Sequence, residues 1–102
     1  MRSLETAIVS RKTPGDGKLE ISLETATAIG MDRQGLTVAL SGSAGSAQVS
    51  SVLCGCGRAD GAKSAKHVHY FLMCDLLRSL KPDERVSVLL DDVSRDVTIE
   101  LE

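Results

Sequence analysis

The sequence predicts a mainly β domain with two short helices, folded as a small barrel of six or seven strands. Three observations lead there. Apolar residues alternate with polar ones in short runs, the two-residue period of half-buried strands. Two brief stretches carry helix signals instead. The order of elements then occurs twice along the chain, so that two copies of one unit can close on each other.

The elements read as follows. Residues 4–9 form a short strand, and Pro14-Gly15-Asp16-Gly17 is a strong turn signal. Leu19, Ile21 and Leu23 alternate with Lys18, Glu20 and Ser22 as a second strand. A short helix over 24–29 opens near Ser22 and stops at Gly30, where a residue without Cβ ends the helix readily. Leu36, Val38 and Leu40 form a strand. Residues 41–47 are Gly, Ser and Ala only; seven residues between strands suit a hairpin or crossover loop better than a linker. Residues 48–56 form the next strand, with a bulge expected where Val49, Val52 and Leu53 break alternation. Residues 57–66 are a second glycine-bearing polar loop. His67 to Leu72 follows as a strand with Val68, Tyr70 and Leu72 on one face. A helix over 73–80 has Leu76, Leu77 and Leu80 at helical spacing and ends before Pro82. Val86, Val88 and Leu90, a turn over 91–95, and Val97, Ile99 and Leu101 close the chain as a hairpin.

The repeat is visible as an offset. Leu19, Ile21 and Leu23 lie 49 residues before Val68, Tyr70 and Leu72; Ala28 and Met31 lie 49 before Leu77 and Leu80; Leu36, Val38 and Leu40 lie 50 before Val86, Val88 and Leu90. Each unit, about 4–40 and 49–90, runs strand, basic loop, strand, short helix, strand, and residues 97–101 add a closing strand. Neither unit can bury a sheet face alone. Related by a pseudo-twofold axis, the two form one domain over 1–102, a pseudobarrel with helices at its open ends and both loops on the same side.

Charge sharpens this picture. The chain carries −2 overall, yet residues 10–18 carry +2 (Arg11, Lys12 and Lys18 against Asp16), and residues 57–69 carry +2 (Arg58, Lys63 and Lys66 against Asp60). That leaves −6 for the rest, so cations gather in two matching loops on an acidic body. Tyr70 and Phe71 are the only aromatic residues, which argues against a base-stacking platform for single strands. Three cysteines, with no secretion signal and no apolar run near the ~20 residues of a membrane span, point to a reducing cytoplasm.

Seven strands, two short helices and two equivalent arms resemble the B3-type DNA-binding pseudobarrel of plant transcription factors and of the recognition domains of some bacterial restriction endonucleases. The resemblance covers residues 4–101 and rests on element order and arm positions. It implies a module that binds double-stranded DNA, attached to a catalytic or oligomerisation partner domain or serving as a regulator, with two arms gripping the major groove. The arms carried over are residues 10–18 and 57–67. Double-psi and swapped-hairpin barrels share the same unit order and include small enzymes, cofactor-gripping subunits and dimeric regulators; they stay open as alternatives.

Within that reading, Arg11 and Arg58 stand at matching arm starts, and arginine forks onto guanine or phosphate. Lys12, Lys18, Lys63 and Lys66 suit phosphate, and Thr13, Ser64, Gln48 and Ser50 can add neutral hydrogen bonds to it. Asp60 matches Asp16; each either accepts from cytosine or builds its turn, the turn being preferred. His67 and His69 lie two apart on one strand and face one side, where they help hold phosphate. With Cys54 and Cys56 they would make a Cys2His2 zinc set, but that spacing is unusual on strands, and no metal or other cofactor is expected. Asp91, Asp92 and Asp96 read as a solvated turn. No nucleophile motif, phosphate loop or paired-carboxylate signature appears, so no catalytic residue is assigned and the chain is not expected to be an enzyme.

Overall fold

The computed structural model describes residues 1–54 and 67–102. Among them, seven strands form one nearly closed, barrel-like sheet: β1 (Arg2–Ile8), β2 (Lys18–Ile21), β3 (Gln34–Leu40), β4 (Ser43–Cys54), β5 (His67–Met73), β6 (Arg85–Leu90) and β7 (Val97–Leu101). The strand order is β1-β6-β7-β3-β4-β5-β2. Pairing is antiparallel except for the parallel β3–β7 contact. Among the described residues there are also two helices, α1 (Lys12–Asp16) and α2 (Leu23–Ile29), and a 3-10 helix, Asp75–Ser79. The mainly β pseudobarrel that the sequence implied is the observed fold.

The strand order carries the pseudo-twofold. Exchanging β1, β2 and β3 with β4, β5 and β6 preserves the β1–β6, β3–β4 and β2–β5 pairs and the two flanks of β7; the β4–β5 pair alone has no counterpart, because β1 and β2 do not pair. Register agrees: Ala7 pairs with Val86, and the equivalent Ala47 pairs with Leu36. The helices obey the same exchange, since α2 packs on β1 and β5 while the 3-10 helix packs on β4 and β2. Burial corrects the offsets. Leu23, Val68 and Met31 are exposed, so the matched core pairs are Leu19–Tyr70, Ile21–Leu72, Ala26–Leu77 and Ile29–Leu80, all 51 apart. Ala7 and Val9 match Ala47 and Val49 at 40. The 11-residue difference falls in the second arm, whose greater length accounts for it without disturbing the barrel.

Local structure departs from expectation in several places. The bulge expected around Val49, Val52 and Leu53 does not form: residues 48–54 pair with 73–67 in unbroken register. The 41–47 loop is a tight hairpin, because Ser41 (φ 50°) and Gly42 (φ 84°) both take the left-handed conformation of a two-residue I′ turn, Leu40 pairing with Ser43. The helix expected over 73–80 contracts to the five-residue 3-10 turn, with Leu77 and Leu80 buried and Leu76 packed at the margin. The first arm is not an open loop. It folds as α1, with Gly17 in the left-handed region donating its N–H to Thr13 O at 2.8 Å.

The core fills the barrel: Leu19, Ile29, Leu36, Val38, Leu72, Leu77, Val86, Val88, Leu90 and Ile99 are fully buried. Ser22 caps α2 by accepting from Thr25 N, and Gly30 ends it. Asp91 shapes the last turn by accepting from Val93 N and Ser94 N, which holds its carboxyl below the ordinary 3.8.

Candidate nucleic-acid interface

Leu19, Ile21, Val49 and Leu72 point into the barrel, so their neighbours along β2, β4 and β5 point out. Cross-strand register arranges these outward residues in rows. Lys18, Met73 and Gln48 form one row; Glu20, Phe71 and Ser50 form the next; His69 pairs with Val52 in the third. Thus Lys18, Gln48, Ser50 and His69, chosen from sequence on three separate strands, share one outer face.

Phe71 sits at the middle of that face yet is only 5 % exposed, because lysines roof it. Lys18 Nζ lies 4.7 Å from the ring centroid and Lys12 Nζ, reaching across from α1, lies 5.9 Å away. The ring attracts both cations through its negative face and holds two positive charges that would otherwise repel. The His69 ring stands 6.4 Å from Phe71, and its Nδ1 is 2.7 Å from Glu20 Oε2. Gln48 Nε2 makes a weak 3.7 Å contact with Met73 Sδ.

The sequence reading puts both arms on the same side of the barrel; their roots instead join this face at its two ends. The first enters at Lys18, opposite Met73; the second leaves β4 at Cys54 and returns at His67. Six residues of strand separate the two points, roughly 20 Å at ~3.3 Å per residue. That span exceeds the ~12 Å width of the DNA major groove. Beyond the end of β2, the paired β4 and β5 continue as a two-stranded ribbon.

Not every expected contact lies on this surface. Arg11 is exposed at the start of α1. Thr13 is a correction: it is fully buried in α1, its hydroxyl has no hydrogen-bond partner, and it cannot reach a ligand outside. Asp16 is exposed at the C-terminal end of α1 beside the Gly17 turn, in keeping with a turn role. Arg58, Asp60, Lys63, Ser64 and Lys66 lie outside the described residues, as do Cys56 and the side chains of Cys54 and His67. Among the described residues, no group of histidines, cysteines and carboxylates is placed to hold a metal ion. No helix among them is long and apolar enough to cross a membrane.

Phe71 and Glu20 belong to the face but escaped the sequence reading. The signal was present: both occupy the outward phase of strands whose inward phase was recognised. No protein-family model, curated protein or solved structure matches the chain.

Proposed function

We propose that this domain binds double-stranded DNA across the outer face of β2, β5 and β4, with the two basic arms, rooted too far apart to meet within one width of the major groove, contacting the duplex at either end of that face. Lys12 and Lys18 contact phosphate, Gln48, Ser50 and His69 add hydrogen bonds, and Arg11 and Arg58 reach for bases. What supports the reading most is one observation: the cations and polar groups from β2, β4, β5 and α1 lie on a single face. A two-stranded ribbon is one of the elements the major groove admits. The acidic remainder of the chain would turn the opposite side away from the phosphates. In this role the domain recognises DNA on behalf of a nuclease or regulatory partner and carries no chemistry of its own.

The test is a fluorescence-anisotropy titration of the whole chain against labelled duplex at several salt concentrations. Six arm cations give an expected log–log slope of roughly −3 to −5. Lys12→Ala and Lys18→Ala each lower its magnitude by about one. Absence of duplex binding at low salt, or binding with no salt dependence, contradicts the proposal.

A further inference from the structure

Arg78 belongs to the second repeat unit, but its side chain serves the first arm. Its Nη1 donates to Gly15 O at 2.6 Å, and its Nε to Asp75 Oδ1 at 3.4 Å. The same side chain lies against Gly17: a Cβ there would stand 3.4 Å from Arg78 Nε, 3.5 Å from Arg78 Cγ and 3.1 Å from Cys74 O. Cys74 N–H donates to Gly17 O at 2.8 Å, so the end of α1 is held by a guanidinium and by main chain together.

Such holding is needed. α1 has five residues, includes Pro14 and Gly15, and gets no side-chain cap from Arg11, Ser10 Oγ only accepting a long 3.3 Å bond from Lys12 N. A helix this short has no stability of its own. The Gly15 carbonyl is among those that a helix end leaves without an internal partner, and a cation there is doubly favourable. The pose of α1 is therefore set from outside, and that pose decides where Arg11 and Lys12 stand relative to Lys18 and Phe71.

Resting on the DNA-binding reading above, we infer that Arg78 is a positioning residue of the interface. It fixes the first arm through Gly15 and does not itself neutralise a phosphate.

The experiment compares wild type, Arg78→Ala and Arg78→Lys in two measurements. Amide hydrogen exchange of the free protein reports the clamp: Arg78→Ala should speed exchange at Gly17 and Cys74 while leaving Val88 in the barrel unchanged. Duplex titration against salt reports the role: Arg78→Ala should weaken binding about tenfold, the scale of one charge-assisted hydrogen bond, with an unaltered salt slope. Arg78→Lys keeps one donor for Gly15 O and should recover part of both. A slope lower by about one would make Arg78 a phosphate ligand and overturn the inference. So would unchanged exchange at Gly17, or faster exchange with unchanged affinity. If wild type binds no duplex, the DNA reading itself fails and the positioning role falls with it, while exchange at Gly17 still decides whether Arg78 clamps the arm.

Discussion

The two repeat units use the same strand order but secure their arms by different means. In the second unit, β4 and β5 pair over seven residues from Gln48–Met73 to Cys54–His67, so a continuous ladder leads out to the long arm. In the first unit, β1 and β2 are the ends of the sheet and share no ladder. A side chain bridges them instead: Glu5 accepts from Ser22 N at 2.8 Å and from Ser22 Oγ at 3.0 Å. The short arm there folds into α1 and is clamped to the 3-10 helix. A duplicated topology thus tolerates an open seam where one carboxylate replaces several ladder bonds. The longer arm, which has more chain to project, is reached through paired backbone.

That contrast can be broken at four points. The largest effect is expected at the centre both units share. Leu72 is fully buried and pairs with Leu19 on one side and Val49 on the other. Leu72→Ala should cost about 2–5 kcal/mol, and denaturant unfolding followed at both halves should remain one transition. Separate transitions would mean that the units are independent.

Next is the seam. Glu5→Ala removes a charged acceptor for two donors and should cost about 2 kcal/mol, whereas Ser50→Ala on the laddered side should stay within about 0.5 kcal/mol. Equal effects would show that the seam carries no special burden. Phe71→Leu keeps an apolar side chain but removes the ring beneath Lys12 and Lys18. Thermal unfolding should register a loss of about 1 kcal/mol; no loss would mean that the lysines do not depend on the ring.

The smallest effect belongs to the closing hairpin, outside both units. Asp91 has a depressed pKa because Val93 and Ser94 donate to it when it is charged. Its contribution is present above the ordinary 3.8 and disappears as pH falls through the lower folded value. Asp91→Ala should therefore lower the melting temperature at neutral pH and have little effect in strong acid. A pH-independent deficit would assign the loss to something other than the carboxylate.

The barrel was legible because alternation along Leu36–Val38–Leu40 and Val86–Val88–Leu90 follows directly from burial of one strand face, and both triplets are core. Offsets were less legible. Val68 and Leu23 continue the alternating pattern past the point where the barrel wall ends, so periodicity alone could not mark them as exposed. The first arm misled because Pro-Gly-Asp-Gly reads as a turn; contact with Arg78, 63 residues away, stabilises a short helix there. Thr13 misled for the same reason, since a residue in an assumed loop turned inward once the loop became helical. Lys18, Gln48, Ser50 and His69 were found as residue types, whereas their common face depends on register, which sequence pattern does not specify between distant strands.

The most direct test of the shared face is residue-by-residue mapping of duplex contact by NMR chemical-shift perturbation. Adding duplex should shift the signals of Lys12, Lys18, Gln48, Ser50 and His69 and leave Ser87, Thr98 and Glu100 on the far wall unmoved. Shifts centred on Ser87, Thr98 and Glu100, or none at saturating duplex, would contradict it.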